Sequence, residues 1–314
     1  MKSKVRYLLA FLIVQLCCSW GFYAHKLINQ SAVFTLPTSL AQFYKKHIGL
    51  ITEKAVDADK RCYVDTLESP RHFIDIDEYG ESSIDSIPVH WRQAVEKYEE
   101  RRVRAQGIVP WQIYLSYQNL VKAFSQSDVN KIIKHAADLG HYVADAHVPL
   151  HTTKNYNGQF TNQIGIHAFW ESRLPEMFAP KYNLLVGKAT YIDDPLELAW
   201  TIVKESNALV DTVLRIEKSL SETFPKDKQK SYIERKNVLV LTYSDAYTTA
   251  YHDHMQGMVE ARMRKSIQRI GSYWFSAWVD AGQPKLDMKY VPLHTEDIPD
   301  IQNRRIIGRE EWHE

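Results

Sequence analysis

Cysteine is scarce in this chain. There are three in 314 residues. Cys17 and Cys18 fall in a segment expected to be removed, which leaves Cys62 alone. An intramolecular disulfide is thereby excluded, and stability must rest on the core and on metal if any is bound. Charge of one sign is lacking too: 39 Lys and Arg face 38 Asp and Glu, a formal net charge of +1. That balance excludes a strongly basic nucleic-acid-wrapping protein, though not a nuclease whose metals supply positive charge. No glycine-rich phosphate loop and no G-x-S-x-G nucleophile elbow is present. Strand-like alternation is rare, and there is no internal repeat or low-complexity tract.

What is present begins with a leader. Lys2, Lys4 and Arg6 form a basic start, Leu8 to Leu16 an apolar stretch, and Cys17-Cys18-Ser19 a small-residue end. This pattern predicts a secretory signal peptide over 1–19, too short for a membrane span. Cleavage after Ser19 makes Trp20 the new N-terminus and sends the protein to the periplasm or the medium. From there the 3.6-residue period predicts a helical run after Trp20, with Phe22, Leu27, Ile28, Ala32 and Val33 on its apolar face and Pro37 ending it, and helices over 38–55, 88–104, 111–125, 128–147, 195–220, 227–249 and 251–280. Another is expected from Ile164 to just before Pro175, with an irregular stretch over 56–80. The expectation is one all-α domain over 20–282, followed by an extended tail over 283–314.

The stretch from Leu139 to Glu171 carries the chemistry. His141 and Asp145 are four apart, as are His167 and Glu171, so each pair shares a helix face and can close on one metal ion. His151 follows Pro149, which ends the helix and lets a turn bring this imidazole back. Imidazole and carboxylate without thiolate suit zinc in a catalytic site. One such pair is ordinarily two solvated residues on an amphipathic helix. Two pairs with a histidine between them point to metal.

Upstream lie Trp20-Gly-Phe-Tyr-Ala-His25, Ala55-Val-Asp-Ala-Asp59 and His72-Phe-Ile-Asp75. With these the sequence resembles a superfamily that joins zinc-dependent phospholipases C to the S-one/P-one type single-strand nucleases. The resemblance covers most of 20–282 and rests on the ordered signature W…H…D…H…H-x-x-x-D…H…H-x-x-x-E/D. It implies an all-helical domain with three zinc ions. The amine and carbonyl of Trp20, with His25 and Asp145, would hold one. Asp59, His72, His141 and Asp145 would hold the second, and His151, His167 and Glu171 the third. Asp57 fits the family spacing to His72, whereas A-V-D-A-D fits the nuclease motif at Asp59. The resemblance implies that Asp59 also orients or deprotonates the attacking water. His47, His90, His135, His147, His252, His254, His294 and His313 match no position of the pattern.

The implied activity is hydrolysis of phosphate esters. The His25 spacing and the His72 motif match the nuclease branch, with single-stranded nucleic acid or a 3′-nucleotide as substrate and Phe73 as a stacking face. Glu171 matches the phospholipase branch, for which Phe160, Phe169 and Trp170 would form an apolar lip. A different class is a non-catalytic, zinc-stabilised exported binding protein. No protein partner is implied.

Overall fold

Helix 129–146 turns Lys131 and Lys134 outward in its first half and is buried on all sides from Ala136 to Ala146, which requires other helices around it. The computed structural model describes residues 21–80, 84–235 and 238–286. The leader 1–19, Trp20 and the tail beyond 286 lie outside the described residues. In chain order the helices are α1 (Phe22–Ala32), α2 (Thr38–Lys46), α3 (Ile48–Lys54), α4 (Asp57–Arg61), α5 (Trp91–Tyr98), α6 (Glu100–Ala105), α7 (Val109–Ser125) and α8 (Val129–Ala146). They continue as α9 (Ile166–Ala168), α10 (Leu174–Phe178), α11 (Pro195–Asn207), α12 (Val210–Thr223), α13 (Asp245–His254) and α14 (Met258–Asp280). Strands β1 (Lys230–Arg235) and β2 (Val238–Tyr243) form one antiparallel hairpin, with Tyr232 opposite Leu241. The described residues are 68% helical, and the fold class is all-α. Among the described residues no helix is long and apolar enough to cross a membrane.

Helix α8 is the axis of the molecule. Asp128 caps it by accepting from the Lys131 amide at 3.1 Å, and every residue from Ala136 to Ala146 is buried. Helices α1, α3, α7, α11 and α14 pack around it. α1 crosses closely because Gly140 has no side chain: a Cβ there would lie 2.2 Å from Asn29 Oδ1. Asn29 Nδ2 donates to the Ala137 carbonyl at 3.2 Å across the same crossing. From α14, the Trp274 indole donates to the Ala136 carbonyl at 3.0 Å, and Tyr44 stacks on that indole with centroids 4.8 Å apart.

Several expected helices are divided. The 38–55 run breaks at His47, and 88–104 breaks at Glu99, whose φ is 67°. The 195–220 run breaks at 208–209, and 251–280 breaks before Gly257, where Gln256 and Gly257 both have positive φ. The expected helix over 227–249 is wrong. Residues 230–243 are the hairpin, and helix resumes only at α13, where Ser244 accepts from the Tyr247 amide at 3.1 Å. VLVLTY is a continuous apolar run, which has no period to separate helix from strand; its β-branched and aromatic content favours the strand.

A candidate metal centre

The functional side chains arrive from seven places. His141 and Asp145 lie one turn apart near the end of α8. Pro149 then opens a 3-10 turn, Pro149–Thr152, that turns His151 back toward them. His25 comes from α1, Asp59 from α4, and His72 from the end of the 3-10 turn Ser69–Arg71. His167 lies on α9, which starts at Gly165, and Glu171 lies in a π turn, Phe169–Arg173, that joins α9 to α10. That wide turn carries the helix past Pro175, where the sequence predicts a stop. π turns of this kind are frequent at functional sites.

Three donor groups result, each within 4.8 Å: His25, His141 and Asp145; Asp59, His72 and His141; His151, His167 and Glu171. They are linked. His141 belongs to two groups. Asp145 Oδ1 is 3.3 Å from His25 Nε2, while its Oδ2 is 2.9 Å from His72 Nδ1 and 3.2 Å from His141 Nε2. Glu171 also divides its oxygens, Oε1 at 3.1 Å from His25 Nε2 and Oε2 at 3.1 and 2.9 Å from Nε2 of His151 and His167. Asp59 Oδ1 is 3.3 Å from His141 Nε2. Asp145 is buried, whereas the Asp59 side chain is 29% exposed and so sits at the mouth.

The rings are oriented for metal. His141 Nδ1 donates to the Ala55 carbonyl at 2.8 Å, and His151 Nδ1 donates to the His72 carbonyl at 2.7 Å. Each bond keeps the ring proton on Nδ1 and turns Nε2 inward, the nitrogen that a metal would take. There Nε2 of His141 lies 3.0 Å from His72 Nδ1, and Nε2 of His151 lies 3.0 Å from His167 Nε2. Nitrogens facing so closely need a shared proton or a cation between them. The segment beneath is braced: the Ile74 amide donates to the His151 carbonyl at 2.9 Å, Asp75 to Gln106 at 2.7 Å, and Val109 to the Phe73 carbonyl at 3.1 Å.

Electrostatics favour a cation. Asp59, Asp145 and Glu171 converge, and among the described residues each pairs with histidines. Burial opposes the charge on each of these carboxyls, but the histidines outweigh it and hold all three below the usual range. Conversely, burial pushes the imidazoles down, while Glu171 and Asp145 lift His151 to about 9 and Asp145 raises both His72 and His141. Protons on these rings occupy the places that a divalent cation would take.

Of the residues expected from the sequence, His25, Asp59, His72, His141, Asp145, His151, His167 and Glu171 come together. Trp20 lies outside the described residues, but Gly21 is at the cluster: a Cβ on it would be 3.3 Å from Glu171 Oε1. Asp57 points elsewhere, to Lys60 at 2.8 Å and Lys54 at 3.6 Å. Phe73 needs correction as a stacking face. It is 3% exposed, its ring pressed on Gly107, where a Cβ would lie 2.5 Å from Cδ2. Phe169 and Trp170 are buried as well, and of the proposed lip only Phe160, at 66%, is open. His147 faces away, its Nδ1 donating to Val143 and its Nε2 accepting from Arg269 at 3.2 Å.

One contributor was missed. Glu68, fully buried, accepts from Arg61 at 3.1 Å, Arg71 at 2.6 Å and the Tyr142 hydroxyl, with Oε1 3.7 Å from His72 Nε2. Burial disfavours its charge, yet His72 and Arg61 hold it ionised. It stands four residues before His72, the same spacing as the other acid–histidine pairs. No protein-family model matches this chain, and no curated protein sequence matches it either.

Proposed function

We propose that the chain is an exported zinc-dependent hydrolase of phosphate esters, acting on single-stranded nucleic acid or 3′-nucleotides. The observation that carries this reading is the linkage of the three donor groups through His141, Asp145 and Glu171, which suits a multinuclear centre better than separate sites. The donor set fits zinc: imidazole and carboxylate, no thiolate, with two rings already locked in the binding tautomer. His25 and Asp145, with the amine and carbonyl of a processed Trp20, would hold one ion. Asp59, His72, His141 and Asp145 would hold another, and His151, His167 and Glu171 the third. Zinc bound there lowers the pKa of a coordinated water from ~15.7 toward ~7 and neutralises phosphate charge.

The chain's own part is positioning and proton transfer. Asp59, at the mouth, is placed to orient the attacking water and accept its proton. Buried Asp145 and Glu171 fix the geometry behind it. The exposed aromatic faces that would take a base are Phe160, which falls between His151 and His167 in sequence, and Tyr63, 52% exposed, just after α4.

A phospholipid substrate is the second reading, favoured by the closure of Phe73 and by the exposed Val64, Leu67 and Ile164 in the same two segments. The experiment is a panel on processed, zinc-loaded protein: single-stranded DNA, RNA, a 3′-nucleotide and phosphatidylcholine, each with and without chelator. Chelator-sensitive turnover of the nucleic acids supports the proposal. Turnover of phosphatidylcholine alone replaces it with the second reading. A metal-loaded protein that turns over none of them is a zinc-stabilised binding protein, and the enzymatic reading fails.

A further inference from the structure

Behind the donor groups, between α1, the end of α8, the π turn and α14, lies a cavity of about 30 Å³. Its walls include Ile28, Val148, Val259 and Met263, and it is mostly apolar. Six polar side chains break that lining: His147, Glu171 and Arg262, which bond elsewhere, and His25, Trp170 and Ser266, which are 3%, 3% and 1% exposed. Among the described residues, His25 Nδ1, Trp170 Nε1 and Ser266 Oγ have no hydrogen-bond partner. Leaving a buried N–H or O–H unpaired is costly. A water molecule needs roughly 10–15 Å³ of such space and two to four polar partners. Both conditions are met.

We propose that one or two ordered waters bridge His25 Nδ1, Trp170 Nε1 and Ser266 Oγ, which makes Trp170 and Ser266 positioning residues for His25. This rests on the metal-centre reading and extends it to the way one ligand is held. His141 and His151 each donate Nδ1–H to a backbone carbonyl, so only one neutral tautomer is available to them. His25 has no such carbonyl. Water both donates and accepts, so it serves either tautomer. Without metal, Nε2–H donates to Glu171 Oε1 at 3.1 Å and Nδ1 accepts from water. With metal on Nε2, the proton sits on Nδ1 and donates to the same water. The water also accepts from the Trp170 indole and donates to Ser266. His25 is thus the ligand that changes tautomer as its ion comes and goes.

The test joins a solvent-resolving crystal structure of the full chain with ring ¹⁵N–¹H NMR of the wild type, Ser266→Ala and Trp170→Phe. Ordered water should contact all three atoms, and the His25 proton should move from Nε2 to Nδ1 on zinc loading. In either variant one zinc should bind roughly 10–100-fold more weakly by chelator competition, as for other lost supports of a metal-ligating histidine. The other zincs should be unaffected. A dry cavity, a cavity filled by the Trp20 indole, or variants with unchanged zinc affinity overturns the proposal. A wild type that binds no zinc defeats the metal reading separately, because the solvent and the metal-free ring signals still decide whether the bridge exists.

Discussion

At the scale of single residues, the choice between two aspartates is the sharpest case. Asp57 and Asp59 are two apart on one short helix, so they cannot face the same way. Asp59 reaches His141, and Asp57 reaches lysines. Asp59→Asn is therefore expected to remove most hydrolysis and lower zinc content, while Asp57→Asn leaves both nearly unchanged. Turnover and elemental analysis of the two variants check this. His147 gives a second prediction, on stability. Burial, then the neighbouring Arg262 and Arg269, press its pKa well below the ordinary 6.5. Above that pH it is neutral whether folded or not and contributes nothing. Below it the unfolded chain gains a proton that the folded chain refuses, so stability falls as pH drops, by up to ~1.4 kcal/mol per unit. In His147→Gln this component should vanish. Urea unfolding of both proteins in chelator, from pH 7 to 5, should show the shallower slope in the variant.

At the scale of elements, the helices that could be read in advance are those whose faces are strongly patterned: α7 and α8 lie within two residues of expectation at each end. The breaks at His47 and Glu99 were not legible. Neither carries a proline or glycine of its own, and tertiary packing decides where the chain turns. The hairpin was missed because a continuous apolar run has no phase. The donor set was legible for a different reason. Its two i,i+4 pairs are local, and its remaining members follow in a fixed order. The supports were not, since the carbonyls of Ala55 and His72 carry no side-chain signal. Glu68 did carry one, at four residues from His72, and was passed over. The α1–α8 crossing also has a testable tolerance. Gly140→Ala places a methyl group against Asn29, which is fully buried and tethered to Ala137. Overpacking of this kind costs about 1–3 kcal/mol and outweighs alanine's helix propensity of about 1 kcal/mol. Asn29→Ala in the same chain should return part of it, as a urea midpoint series will register.

For the molecule as a whole, zinc content and the N-terminus belong together. Chains beginning at Trp20 are expected to hold about three zincs. Chains beginning with a retained Met before Trp20 should fold, hold about two, and hydrolyse far more slowly. An amide nitrogen has no lone pair to offer, whereas a terminal amine of pKa ~7.7–8.0 does. Gly21 itself lies against the cluster, a Cβ there being 3.3 Å from Glu171 Oε1. Equal zinc and activity in the two chains would remove Trp20 from the centre. The bracing of 70–76 bears on a separate matter, how the cleft breathes. Ile74 and His72 each bond to His151, while Asp75 and Phe73 bond to the strip 106–109. Four ties across two partners leave that wall no independent fluctuation. Looser motion is expected instead in 62–67 and 155–164, where Tyr63, Val64, Leu67, Phe160 and Ile164 are exposed. Deuterium should then enter those two segments within the earliest exchange times and reach the Ile74 amide only when the whole domain opens, so the cleft works like a vice with one fixed jaw.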